Sequence, residues 1–181
     1  MCSSDGYIWI GGYSGIIRYN GSTFTRLDSS EGLTNGRGLF EDSKGRIWVG
    51  TNDNGVVLID GNGQTHFTYK DGLPSSSIRT FAEDGDGNIF IGTTSGVCYI
   101  ADDMQVRVLD DVRIKSERVL RLVSDSEGII YGQTKSGVIF RVKNRMVTDV
   151  IPVMNWVWRR SLPSLRILRI REKYTLERIP M

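Results

Sequence analysis

Residues Ser77 to Ile100, SIRTFAEDGDGNIFIGTTSGVCYI, carry the pattern on which the rest of the chain is built. Ile78, Phe81 and Ala82 form an apolar run that ends at Glu83-Asp84. Asp86-Gly87 then supplies a turn, and Ile89, Phe90 and Ile91 follow. Asp-Gly between two apolar runs signals a hairpin, because glycine reaches positive φ without a Cβ clash. Gly92 closes the second run, Thr93–Gly96 turn the chain again, and Val97–Ile100 resume it. The stretch predicts three antiparallel strands joined by tight turns.

The same unit recurs. Its turn glycine appears as Gly6, Gly45, Gly87 and Gly128, at successive spacings of 39, 42 and 41 residues. A large aromatic stands three positions later each time: Trp9, Trp48, Phe90 and Tyr131. A second glycine closes the following turn at Gly15, Gly55, Gly96 and Gly137, and Asp42, Asp84 and Asp125 stand on the approach to three of the turns. A period near 40 with several short strands per unit fits one propeller blade per repeat. The expected fold is therefore all-β: a partial β-propeller of about four blades, each a four-stranded antiparallel sheet. The blades fall at about 1–30, 31–71, 72–112 and 113–151, with a tail at 152–181 that does not belong to the propeller pattern.

Composition agrees with a globular chain. Of 181 residues, 39% are hydrophobic and 24% charged, and 21 glycines against 4 prolines suit many tight turns. The net charge of +2 is unevenly spread. The tail carries Arg159, Arg160, Arg166, Arg169, Arg171, Lys173 and Arg178 against only Glu172 and Glu177, which leaves the propeller body slightly acidic. That body offers no field for nucleic acid. Cys2 and Cys98 lack metal-ligand spacing; Cys98 reads as a small buried apolar residue in a strand, and a disulfide between the two is poorly motivated. No apolar run is long enough to span a membrane and no leader is read at Met1. The expectation is a piece of a longer protein.

Taken in order, Met1–Asp5 is too short and polar for a first strand, so the chain is read as starting inside a blade. Tyr7–Ile10, Ile16–Tyr19 and Thr23–Leu27 follow as strands. Blade two is expected as Arg37–Glu41, Arg46–Gly50, Val56–Asp60 and Gln64–Tyr69, its last strand alternating Thr65, Phe67 and Tyr69 against His66 and Thr68. Blade three ends in Val106–Leu109. Blade four is read as Val119–Ser124, Ile129–Tyr131, Val138–Val142 and Met146–Ile151, with Gly132-Gln133 predicting a distorted second strand. After Pro152 the repeat stops. The basic segment SLPSLRILRIREKYTLERI suits either an amphipathic helix for a membrane surface or partner, or a sequence foreign to the fold. The abrupt loss of the pattern favours the second.

GLPSSSIRTFAEDGDGNIFIGTTSGV (72–97) and GRGLFEDSKGRIWVGTNDNGV (36–56) resemble the two-component regulator propeller repeat. Arg37 and Arg79 match its arginine, Asp42, Asp84 and Asp125 its aspartate, and Thr51, Thr93 and Thr134 its threonine. The resemblance covers about residues 4–142. It is weaker in the fourth repeat, where Ser124 and Gln133 depart from it, and absent after Pro152. It implies a sensor region on the extracytoplasmic side of a bacterial membrane, ahead of a membrane span and a histidine kinase or diguanylate cyclase module that this sequence does not contain.

The recurring residues read as structural. Trp9, Trp48, Phe90 and Tyr131 are assigned to packing between blades. Asp42, Asp84 and Asp125, beside Gly45, Gly87 and Gly128, are assigned to bonding turn N–H groups. Arg37 and Arg79 are expected to pair with nearby acidic side chains, and their recurrence makes them weaker ligand candidates. Ligand chemistry is sought instead in what differs between blades, in loops on one face. Those loops hold Tyr13, Asn52, Asp53, Asn54, Thr94, Ser95, Lys135 and Ser136, with Ser14, Asn35 and Ser75–Ser77 nearby. Their polar, mostly uncharged character suits a carbohydrate or another small polar ligand.

Asp84-Gly-Asp-Gly-Asn88 imitates the start of a calcium loop, but Ile89 and Ser95 stand where that loop needs Gly and Glu. It is read as a turn, and no metal or cofactor is assigned. His66, the single histidine, has no partner for a triad or an imidazole metal site, so no catalytic residue is assigned. The leading expectation is a non-catalytic ligand sensor whose partners include the remaining blades of its parent. Alternatives are a propeller hydrolase or lyase acting on polysaccharide, and a protein-binding scaffold. Some four blades would leave two apolar faces and two strand edges uncovered, so self-association through the open edges is expected.

Overall fold

The computed structural model describes residues 1–27 and 33–151, and these form four antiparallel sheets with strands in chain order. The first sheet holds β1 (Ile8–Gly12), β2 (Gly15–Tyr19) and β3 (Phe24–Leu27). The second holds β4 (Gly36–Glu41), β5 (Ile47–Thr51), β6 (Val56–Asp60) and β7 (Gly63–Phe67). The third holds β8 (Ile78–Glu83), β9 (Ile89–Thr93), β10 (Gly96–Ile100) and β11 (Val106–Val108). The fourth holds β12 (Val119–Ser124), β13 (Ile130–Thr134), β14 (Ile139–Lys143) and β15 (Met146–Ile151). The basic tail read at 152–181 lies outside the described residues.

Three details differ from the sequence reading. The first sheet has three strands, yet Met1–Ser3 runs beside β1: Cys2 forms a bridge with Ile8, Trp9 N–H donates to Met1 O at 2.8 Å, and Ser3 N–H to Tyr7 O at 2.9 Å. Backbone pairing needs no apolar side chain, so a polar stub can occupy a first-strand position. The outer strand of blade two stops at Phe67 because Thr68 caps a short 3₁₀ turn over Tyr69–Asp71. The Asp71 carboxylate accepts from Thr68 N–H at 2.8 Å, leaving Tyr69 exposed instead of aligned with Phe67. The second strand of blade four pairs with β14 without a break from Ile130↔Val142 to Gln133↔Ile139. Gln133 is exposed there, so the strand tolerates it in place of glycine.

The period of two along each second strand builds the core. One face of β5 sends Trp48 toward blade three, where it meets Ile89, Ile91, Cys98 and Ile100; the other sends Ile47 and Val49 toward blade one, where they meet Trp9 and Ile16. Phe90 does the same between blades three and four, beside Ile130, Phe140 and Val142. Each of these three clusters also holds one aliphatic from the preceding inter-blade linker: Leu33, Leu73 and Ile114, all buried. Leu33 and Leu73 follow a glycine in a recognisable lead. Ile114 sits in DDVRIKSERV, where nothing in the sequence marks it as a plug.

Blades approach closely where the second strand ends in glycine. A Cβ on Gly92 would lie 2.6 Å from Thr80 Cγ2 and 2.7 Å from Val119 Cγ1, and one on Gly50 would lie 2.6 Å from Ile78 Cγ2. The first strand of the next blade thus rests on bare backbone, which is why the Ile/Val-Gly-Thr ending recurs.

Candidate functional site

A meander puts its turns at two ends, and the two ends of this propeller differ in kind. At one end, between first and second strands, the aspartates order their own turns. Asp42 Oδ1 accepts from Lys44 N–H (3.0 Å) and Arg46 N–H (2.9 Å), and Oδ2 from Arg46 Nε (2.6 Å) and Trp48 Nε1 (2.8 Å). Burial pushes this carboxyl up, but the bonds from Trp48 and Arg46 outweigh it and the net shift is downward. Asp84 accepts from Asp86 and Asn88 N–H, and Asp125 from Glu127 and Ile129 N–H. The glutamate before each aspartate reaches back one blade: Glu41 accepts from Ser4, and Glu83 from Ser43. In blades three and four both members of that pair change together, to Gly85 and Ser124, and Gly85 N–H donates to Gly128 O at 3.3 Å instead. The departure at Ser124 is therefore an exchange of one inter-blade bond for another.

At the other end lie the second-to-third-strand loops and the linkers, and here the structure gathers the ligand candidates. Asn52 Oδ1 accepts from Ser77 Oγ (3.2 Å), Asp53 from Asn35 Nδ2 (2.8 Å), and Asn54 Nδ2 donates to Thr34 Oγ1 (2.8 Å). Thr94 and Ser75 hydroxyls share a bond of 2.7 Å. Ser136 donates to Glu117 at 2.6 Å, and Lys135 N–H to Arg118 O at 2.7 Å. Asn35 N–H donates to Tyr13 O. Each loop is thus tied to the linker that enters its own blade, and the Asn52–Ser77 and Tyr13–Asn35 bonds cross to the next blade. The Tyr13 ring, 83% exposed, and the Ser95 and Lys135 side chains project outside this network.

The inner strands carry a feature that the sequence reading placed otherwise. Arg37 and Arg79 make no ion pair with an acidic side chain among the described residues. Both are the extra residue of a β-bulge: Gly36 and Gly38 oppose Thr51 and Gly50, and Ile78 and Thr80 oppose Thr93 and Gly92. A bulge turns its extra side chain out of the sheet's alternation. The inner strands β4, β8 and β12 are neighbours, and Arg118 stands just before β12. Burial, then the charges of Arg118 and Arg37, hold the Arg79 guanidinium below the ordinary arginine range. Arg79 Nε is buried with no hydrogen-bond partner.

Among the described residues no group of histidine, cysteine and carboxylate side chains could hold a metal ion. Both cysteines are free; burial pushes the Cys98 thiol up to about 12. His66 is exposed on β7. No helix of the described residues is long and apolar enough to cross a membrane.

Four stacked meander sheets with paired inner strands define a set of β-propeller blades. Residues 36–53 and 72–95 match the model of the two component regulator propeller family. Among solved structures the chain is similar to one described as the extracellular domain of a hybrid two component system, BT3049, from B. thetaiotaomicron. Identity is 27% over 84% of this chain and 22% of that one, with a TM-score of 0.68. A second such domain, BT4673 from the same organism, aligns at 19% identity over 86% of this chain and 24% of that one, TM-score 0.71. A catalytically inactive histidine-to-alanine variant of virginiamycin B lyase from Staphylococcus aureus, with quinupristin, aligns at 19% identity over 83% and 53%, TM-score 0.69. The chain thus spans about a quarter or less of the two-component domains and about half of the lyase. No curated protein matches by sequence. Blades two and three carry segments that match the two component regulator propeller repeat, and the chain is similar to extracellular domains of hybrid two-component systems; the lyase likeness shows the fold alone.

Proposed function

We propose that this chain is part of the ligand-sensing region of a membrane-bound signalling protein of the two-component type. It faces the extracytoplasmic side, and its loop face takes a small polar solute such as a carbohydrate. The observation that carries the reading is the 27% identity to an extracellular domain of a hybrid two component system, joined to the regulator-propeller repeats at 36–53 and 72–95. The loop face supports it. Asn52, Asp53, Asn54 and Thr94 are held by neighbouring linkers before a ligand arrives, so little side-chain freedom remains to be lost on binding. The exposed Tyr13 ring offers an apolar plate to the C–H face of a sugar. The signal passes to a kinase or cyclase module elsewhere in the parent, and the parent's other blades cover Ile8 and Ile10, which are 43% and 46% exposed here.

A lyase or hydrolase reading has less behind it. The lyase named above is inactivated by loss of a histidine, and the one histidine here lies on the outer strand of its blade. The test is titration calorimetry of the chain with a panel of neutral and acidic oligosaccharides. Saturable binding that weakens at least about tenfold in Tyr13→Ala, without turnover of the sugar, is expected. Glycan cleavage abolished by one loop carboxylate substitution would overturn it in favour of the enzyme.

A further inference from the structure

Among the described residues Lys44 pairs with Asp102, Arg46 with Asp42, Arg107 with Asp103, Arg113 with Asp111, Lys115 with Asp110 and Arg141 with Asp149. Arg37, Arg79 and Arg118 stand at the starts of β4, β8 and β12 in three successive blades, at the loop-bearing end, and none has a carboxylate partner among the described residues. Two other arginines share Arg79's buried, unpartnered Nε, but each has compensation. Arg18 lies over the Tyr7 ring at 4.6 Å, and Arg141 reaches Asp149. Arg79 has neither.

Guanidinium groups brought together without counter-ions repel, and a buried N–H without an acceptor costs stability. Two features hold the arrangement regardless. The bulge repeats in blades two, three and four, with Arg37, Arg79 and Leu120 as its extra residue, so the backbone sets where Arg37 and Arg79 leave their strands. The Thr80 hydroxyl accepts from Leu122 N–H at 3.1 Å, tying β8 to β12 and so fixing how far Arg79 stands from Arg118. Glu117, the acid nearest in sequence, accepts from the Ser136 hydroxyl and forms no ion pair among the described residues. Lys135, whose N–H bonds Arg118 O, adds a fourth cation at the same end.

We infer that Arg37, Arg79 and Arg118 form an oxyanion-binding site at the inner rim of the loop face, which takes the carboxylate or sulfate group of an acidic saccharide. Planar guanidinium forks match the paired oxygens of such groups, and an anion seated there would both accept from Arg79 Nε and cancel the repulsion. This deepens the sensor reading by naming the charge of its ligand, and rests on that reading only for the sugar part.

The experiment is thermal unfolding of the chain, followed by tryptophan fluorescence, at matched ionic strength in chloride, sulfate, glucuronate, or chloride with glucose. Wild type and Arg79→Met are compared, with Arg107→Met as a control whose aspartate pair lies elsewhere. At ten times the dissociation constant, glucuronate or sulfate should raise the wild-type midpoint by about 3–5 °C relative to chloride. Arg107→Met should keep that rise and Arg79→Met lose it. In plain chloride Arg79→Met should be no less stable than wild type, since the substitution removes an uncompensated cation. Equal anion responses in wild type and Arg79→Met would overturn the site, as would a large loss of stability in Arg79→Met that anions do not restore. A response to sulfate with none to any sugar acid would keep the site and defeat the saccharide reading. A response to glucose that Arg79→Met retains would keep that reading and defeat the site.

Discussion

Strands β1 and β5 are nearly the same sentence, Ile-Trp-Ile-Gly-Gly and Ile-Trp-Val-Gly-Thr, yet they live in different surroundings. Every residue of β5 is buried, as is every residue of β9. In β1 only Trp9 is. The reason is the direction of stacking. Each aromatic points to the blade that follows, so Trp9 finds blade two, while Ile8 and Ile10 point back to where no described blade stands. Tyr131, at the other end, is half-buried where Trp48 and Phe90 are fully so. The three clusters join blades one to two, two to three and three to four; none among the described residues joins four to one. Burial in a propeller is thus a property of the interface, and a repeat's own residues supply half of it.

The contrast can be broken most severely at Trp48. Its indole is fully buried, stacks near Phe67 at 6.1 Å between centroids and donates to Asp42. Trp48→Ala should cost about 3–5 kcal/mol in urea unfolding. A loss below about 1 kcal/mol would remove its role between blades.

Asp42 comes next. Asp42→Asn replaces an acceptor of four bonds by a group that presents a donor to Arg46 or Trp48, at about 2–3 kcal/mol given that Arg46 keeps some contact with water. Because the folded-state carboxyl is held below the ordinary aspartate value of 3.8, it contributes stability that is fully present above that value and is lost as pH falls through the lowered one. In acid titration the gap between wild type and variant should therefore narrow only as the pH falls below 3.8. Curves that stay parallel down to pH 2 would refute the assignment.

The inner and outer second strands can then be compared at one register position. Ile91→Val should cost about 0.5–1.5 kcal/mol because its side chain is wholly enclosed, whereas Ile10→Val should stay within about 0.5 kcal/mol. Equal losses would mean that β1 is covered after all, by a surface the four described sheets do not supply.

The smallest effect is chemical. Cys98 is buried and its thiol raised, while Cys2 is exposed. Iodoacetamide at neutral pH should label Cys2 alone until denaturant is added, since the thiolate is the reactive form. Labelling of Cys98 at a comparable rate would show that the interface between blades two and three opens freely.

Period, turn chemistry and alternation were enough to read the fold. A glycine about every 40 residues with an aromatic three positions on states the number of sheets, and the two-residue period states which side chains share a face, because both are local properties of strand and turn. The end of β7 was also written locally, in the Thr68 and Asp71 capping pair, although alternation through Tyr69 hid it. Ile114 was not legible: a single aliphatic in a charged linker becomes a plug only where the gap between blades lies.

Arg37 and Arg79 mark the boundary most clearly. The chain alone determined that an arginine recurs at one position of the repeat, and from that a partner of opposite charge was the natural expectation. Only the tertiary structure decided that the position is a bulge and that the charges of Arg118 and Arg37 act on Arg79. Turns and pleats are set within a few residues, so a sequence can declare them. Which charges end up as neighbours depends on how far each blade is rotated from the last, and that is set by packing of glycine and aliphatic surfaces some 40 residues apart.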